Sequence, residues 1–183
     1  MIDCYSVRSR SRIYRELIES VKKKQKIEVA FQLLHSSLWK NALLYDLMRE
    51  NDLFEPLVII CPHYPSSDKE REKEYQRCIE LCVAKDYQYF ETKSENGYRD
   101  LEDIFEKNFP DVVIIQNSWE RTLPKYNIQA WKNSLPCYIP YFYTLNVLFK
   151  SNYGKQFHSL LWAYFVESEW HRLQGRRYAR FNQ

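Results

Sequence analysis

Two runs of this chain, Pro56-Leu57-Val58-Ile59-Ile60-Cys61 and Asp111-Val112-Val113-Ile114-Ile115-Gln116-Asn117, are apolar without alternation between their polar or proline ends. A strand with one wet face alternates apolar and polar residues, whereas a strand that does not alternate is buried on both faces. Such strands belong to parallel sheets with helices above and below, and this requirement governs the reading of everything around them. Upstream, Ile27 to Leu34 reads as a strand and Leu38, Ala42, Leu43, Leu47 and Met48 as a helix. Pro62-His63-Tyr64-Pro65 ends the second strand, and a helix beginning at Ser67 or Asp68 carries Tyr75, Cys78, Ile79, Cys82 and Val83 at spacings of three and four. A third strand is expected at Tyr87–Glu91. Gly97 breaks the chain before a helix marked by Leu101, Phe105 and Phe109, which Pro110 stops. After the Asp111–Asn117 strand come a short helix near Ile128–Trp131, a strand at Leu135–Pro140, a strand at Leu160–Val166 and a basic helix from Glu169. Strands alternating with helices in this way predict an α/β, Rossmann-like three-layer domain with a mainly parallel sheet.

The 183 residues, 45% of them hydrophobic, are enough for one substantial core. Their charge is uneven. Residues 8–26 hold eight Lys or Arg against two Glu, and residues 171–183 add four Arg and no acid, leaving the middle of the chain net acidic. A basic groove for nucleic acid is therefore not expected. Ile13, Leu17, Ile18 and Val21 lie at helical spacing beneath the basic residues, so 1–26 reads as a basic amphipathic helical segment that either packs on the domain or lies on an anionic membrane surface. The rest divides into a Rossmann-like body over 27–168 and a basic helix over 169–183. No apolar run spans a bilayer and the amino terminus is charged, so a cytoplasmic location is expected, at most on the inner face of the membrane. The five cysteines are odd in number and sit mostly among apolar neighbours, which fits buried thiols. Cys78 and Cys82 have no neighbouring pair to complete a metal site, and no metal is expected.

Ligands of open α/β sheets bind beyond the carboxyl ends of the strands. That rule selects His35, Ser36 and Ser37 after the first strand, and His63 and Tyr64 after the second. It also selects Gln116, Asn117, Ser118 and Trp119 after the fourth, Tyr141 to Thr144 after the fifth, and Glu167, Ser168 and His171 after the sixth. Hydroxyls, amides, imidazoles and flat aromatic rings suit a polyol, sugar or phosphate ester. The three glycines form neither a GxGxxG nor a GxxxxGK[ST] loop, so no nucleotide fingerprint or cofactor is expected. The GxSxG elbow that would make Ser36 or Ser37 a nucleophile is missing too. His35 is the candidate general base, against a plainer role as a polar cap on its own turn.

The segments Pro110–Asn117, Leu123-Pro124, Cys137-Tyr138-Ile139-Pro140-Tyr141 and Trp162–His171 resemble the amino-terminal lobe of CDP-glycerol:poly(glycerophosphate) glycerophosphotransferase-like proteins, a likeness covering most of 27–175. The resemblance implies one lobe of a GT-B architecture that makes teichoic-acid-like or capsular polymers, with a polyol-phosphate or glycan acceptor held here. The CDP-activated donor would be held by a second lobe, expected beyond the end of this chain. An acceptor hydroxyl would attack the β-phosphorus and displace CMP, with His35 as base and Ser36, Ser37, His63, Gln116, Asn117, Trp119, Tyr141 and Tyr143 around the substrate. One departure matters: where the family carries a Trp-His-Gly-Thr-Pro motif with its presumed base, this chain reads Pro140-Tyr141-Phe142-Tyr143-Thr144. The alternatives are a non-catalytic α/β binding or regulatory module and a GT-B lobe that uses a nucleotide sugar.

Overall fold

The computed structural model describes residues 4–64, 66–106, 108–117, 121–141, 153 and 156–178. Eight strands occur among them: β1 (Ile27–Leu33), β2 (Phe54–Ile60), β3 (Tyr89–Glu91), β4 (Lys93–Ser94), β5 (Gly97–Tyr98), β6 (Val112–Ile115), β7 (Leu135–Tyr138) and β8 (Ala163–Tyr164). The helices are α1 (Cys4–Val21), α2 (Ala42–Arg49), α3 (Asp68–Ala84), α4 (Leu101–Phe105), α5 (Gln156–Ser159) and α6 (Glu169–Tyr178). Short 3-10 turns occupy Ser36–Leu38, Pro124–Tyr126 and Ile128–Ala130.

Six strands form one sheet in the order β3-β2-β1-β6-β7-β8, every neighbouring pair parallel. Numbered by their sequence within the sheet they run 3-2-1-4-5-6, the Rossmann order. The chain walks outward from β1 to β3, returns past β1 and walks outward again from β6 to β8. The expected α/β class with a mainly parallel, helix-flanked sheet is what the chain forms.

Alternation along each strand sends residues to two cores. Ala30, Ile59, Val113, Ile115 and Tyr138 face one side, packed with Leu101 and Phe105 of α4 and with Tyr126, Ile128 and Trp131. Val29, Phe31, Leu33, Val58, Ile60, Ile114 and Cys137 face the other, against Tyr45 of α2 and Tyr75, Cys78 and Cys82 of α3. Both strand prolines are placed where no ladder bond is lost. Val58 donates to Gln88, so Pro56 faces the same edge before β3 begins, and Pro136 gives its carbonyl to Trp162 ahead of the short β8. A capping box starts α3, in which the Ser67 hydroxyl accepts from Glu70 N–H and the Glu70 carboxylate accepts from Ser67.

Helix α1 turns its apolar stripe toward the domain. Tyr14 is buried and donates to the Leu160 carbonyl, while Arg12, Arg15 and Lys22 stay outside. Between α1 and α2 the second face of the sheet forms an open apolar groove of about 750 Å³, floored by Val29, Ile114 and Cys137. No helix among the described residues is long and apolar enough to cross a membrane.

Several boundaries differ from expectation. The helix read from Leu38 begins at Ala42, because a 3-10 turn fills Ser36–Leu38 first. Only Ala163–Tyr164 of the apolar run Leu160–Val166 is strand; Leu160 and Leu161 are turn residues buried in the first core. The helix expected to reach Phe109 ends at Phe105, where Glu106 adopts φ 52°. The hairpin β4–β5, with Gly97 at φ 110°, was not expected.

Candidate functional site

The direction of chain travel reverses between β1 and β6, and a sheet of this order opens a crevice above the carboxyl ends of the two strands at that point. Leu34 and His35 border it from β1, Gln116 and Asn117 from β6, with Gln32 beneath and Tyr141 opposite. Its enclosed space is about 10 Å³, room for about one water molecule in this conformation. Gln32 is the one polar side chain within the buried part of β1, and its amide donates to the Tyr126 carbonyl at 2.7 Å. Gln116 is 6% exposed, and its Nε2 has no hydrogen-bond partner among the described residues. A buried amide donor without a partner on the wall of a crevice is a group that a ligand oxygen can satisfy.

His35 owes its position to the end of β1 and the 3-10 turn that follows. Its Nδ1 lies 3.1 Å from Glu74 Oε1, 3.0 Å from Ser37 Oγ and 3.3 Å from Ser37 N. The backbone N–H of Ser37 donates to that nitrogen, so the His35 side chain caps its own turn. Glu74 Oε1 stands close to the same nitrogen without a hydrogen bond between the two side chains, and the pair interacts through charge. With Nδ1 accepting from Ser37, the proton of the neutral ring lies on Nε2. Nε2 makes no hydrogen bond among the described residues.

Glu74 reaches this turn from α3 and is 7% exposed. Its Oε1 accepts from both the backbone N–H and the hydroxyl of Ser36, each at 2.7 Å, and Oε2 lies 3.3 Å from Arg77 Nη1. Burial pushes its carboxyl up, but the Ser36 hydroxyl and N–H, with His35 and Arg77, outweigh that and hold it below the usual carboxylate range. His63 stands edge-on to His35, ring centroids 5.6 Å apart, with Nδ1 2.8 Å from Ser66 Oγ. Burial, with His35 and Arg121 nearby, lowers its pKa.

The structure thus gathers His35, Gln116, Asn117 and Tyr141 in one crevice. The Ser36 hydroxyl is committed to Glu74, Ser37 lies against His35, and His63 buttresses His35 from behind. Trp119 and Tyr143, with Ser118 and Thr144, lie outside the described residues. Ser168 and His171 bond to one another at the start of α6, with His171 fully buried. Glu74, Gln32 and Arg77 are missing from a reading by strand ends. A signal for Glu74 exists, since it falls four residues before Cys78 and eight before Cys82, on the buried stripe of α3. A carboxylate at an apolar register position must have partners.

The cysteines Cys61, Cys78, Cys82 and Cys137 are free and buried. Among the described residues no cluster of three His, Cys, Asp or Glu is placed to hold a metal ion. No protein-family model, curated protein or solved structure matches this chain.

Proposed function

We propose that this domain binds the hydroxyl-bearing end of a polyol or glycan chain in the crevice between β1 and β6, with His35 as the base for that hydroxyl, as the acceptor lobe of a glycerophosphotransferase-like enzyme. The observation that carries it is the Glu74–His35 pair beside the unpartnered amide of Gln116. To act as the base, the ring would exchange its Ser37 contact for the adjacent Glu74 carboxylate and carry its proton on Nδ1, and a hydroxyl bonded to Nε2 would then become a better nucleophile. Gln116 Nε2 would hold a second oxygen of the same chain end and fix its direction. In the transfer, the acceptor oxygen forms a bond to the β-phosphorus of a CDP-activated alcohol held by a second lobe. The bond from that phosphorus to CMP breaks, CMP leaves with the electron pair, and the hydroxyl proton passes to His35 Nε2. A lipid-borne acceptor would also give the exposed Arg12, Arg15 and Lys22 of α1 an anionic surface to face.

The crevice is smaller than the usual range for small-molecule sites, which favours a second reading, a binding module that grips a chain end without chemistry. One experiment separates the two. The ¹⁵N-labelled domain is titrated with a glycerol-terminated glycerophosphate oligomer, and CMP release from CDP-glycerol is measured with this domain joined to a donor lobe. Saturable shifts at Gln116 together with CMP release that His35→Ala abolishes support the transferase. Shifts without release support the module, and no shift at Gln116 removes both.

A further inference from the structure

We propose that the open groove on the second face of the sheet receives α2 of a second copy of this chain, giving a two-fold symmetric dimer in which each copy fills the groove of the other. Parallel sheets ordinarily have both faces covered, and on this face α2 and α3 pack over β2. Across β6 and β7 the groove lies open, walled by Ile18 and Val21 of α1, Leu44 and Met48 of α2, and Trp162 and Phe165 beside β8. Next to it α2 raises a ridge: Leu43 and Leu47, four residues apart, are 72% and 56% exposed and stand outside the groove. An acyl chain lying in the groove would leave both leucines bare, whereas a second copy covers them. Leu53, Trp162 and Phe165 are also about half exposed. At about 200 Å² for a whole large side chain, the five amount to on the order of 500 Å². That is the apolar share of the roughly 800 Å² that each partner of a standard interface buries. Shape and charge select the same symmetry axis. A groove cannot fill a groove, so the axis must bring ridge to groove, which it does when it runs along the strands between the facing sheets. Such an axis also sets like ends of the two copies side by side. The ridge continues from Leu47 to the exposed Glu50, with Asp52 beyond it, while Lys22 and Lys24 border the groove. These stretches lead into Phe54 and Ile27, which are paired at the start of β2 and β1, so both lie at one end of the domain. The acids of each copy thereby meet the lysines of the other. The other exposed apolar pair, Trp170 and Leu173 of α6, is flanked by Arg172 and Arg176 and would bring like charge to those lysines. This face is separate from the crevice, and the inference stands without the acceptor reading.

Sedimentation equilibrium and light scattering on the purified chain test this. At about 20 μM, above the weakest affinity usual for an interface of this size, wild type is expected at twice the chain mass. Leu43→Glu combined with Leu47→Glu is expected to be monomeric there, a loss of at least about a hundredfold in affinity. Its circular dichroism should match wild type, since both leucines face solvent in the single chain. Glu50→Lys and Lys22→Glu should each weaken the dimer about tenfold, and both in one chain should restore it to within about threefold of wild type. A monomeric wild type, a dimer that the double leucine variant leaves intact, or a charge swap that fails to restore affinity would each overturn the proposal. Should the double leucine variant not fold, the charge swap decides it. A monomer that binds phosphatidylglycerol vesicles through Leu43 and Leu47 would give the face to a membrane, and one whose Trp162 fluorescence responds saturably to oleate would give the groove to a single acyl chain; either result rejects the second copy.

Discussion

Asp111 holds the amino-terminal end of the seam between β1 and β6, and its replacement allows the energy of that seam to be apportioned. Its carboxylate, 8% exposed, lies 2.8 and 2.9 Å from Lys24 Nζ and accepts from the backbone N–H of Glu28 at 3.0 Å. Two effects are mixed in these contacts. The ion pair involves a lysine that is 38% exposed, so solvent screening reduces it to about 0–1 kcal/mol. The N–H of Glu28, at the start of a central strand, has its partner in that carboxylate, and leaving such a group unmet costs about 1–3 kcal/mol. Asp111→Ala removes both and should cost about 2–3 kcal/mol. Asp111→Asn keeps an oxygen for Glu28 N–H and should cost about 1 kcal/mol. Lys24→Ala loses only the ion pair and should cost under about 1 kcal/mol. With a urea m-value of about 2 kcal/mol/M, Asp111→Ala moves the unfolding midpoint down by about 1 M. Equilibrium urea unfolding followed by tryptophan fluorescence measures all three. If Lys24→Ala costs as much as Asp111→Ala, the salt bridge rather than the backbone contact secures this end, and the reasoning is wrong.

Trp131 is fully buried, yet its Nε1 has no partner among the described residues, so the ring contributes apolar area at the cost of an unmet donor. Trp131→Ala should lose about 3–5 kcal/mol in thermal or urea unfolding, whereas Trp131→Phe, which deletes the donor and keeps an aromatic ring, should stay within about 1 kcal/mol of wild type. The folded pKa of His63 lies below its ordinary value, so the unfolded chain binds more protons as pH falls, and stability should drop on acidification from about pH 6.5 downward. Glu74, also lowered, adds a second loss that begins as pH falls through the ordinary range of carboxylates and continues below it. His63→Gln should remove the upper step and leave the lower one in urea titrations at a series of pH values. Burial pushes the thiols of Cys82 and Cys137 up to about 12 and those of Cys61 and Cys78 higher still, so iodoacetamide should spare all four in the folded protein and label them after unfolding, as read by peptide mass spectrometry.

The strands that are buried on both faces were legible because a short apolar run without alternation, bounded by proline or turn residues, fits a central parallel strand, and β2 and β6 are found where their runs lie. Ser67 marked the start of α3 by the same local chemistry that caps it. The run Leu160–Val166 misled because apolar residues can fill a core from a turn as well as from a strand: Leu160 and Leu161 reach the core before pairing begins at Ala163. His35 and Gln116 could be selected because strand ends are one-dimensional information. Glu74 could not be joined to them, since its contact with Ser36 crosses 38 residues and depends on the angle at which α3 packs. Nor did any local signal say that Ser36 would spend its hydroxyl on that carboxylate, or that Gln116 Nε2 would be buried without a partner among the described residues.

The reversal of direction between β1 and β6 also bears on how the molecule comes together and falls apart. Strands β1, β2 and β3 follow one another and can pair from neighbouring chain, but Asp111 meets Glu28 only after the chain has returned across 83 residues. Closing that loop is the entropically expensive event of assembly, and contacts of such separation form slowly. The crevice straddles this seam, with His35 on one half and Gln116 on the other. A ligand gripped by both residues acts as a clasp between the halves, and its binding energy opposes any opening that parts β1 from β6. Occupancy of the crevice therefore reports on the integrity of the whole sheet, since neither half carries the site by itself.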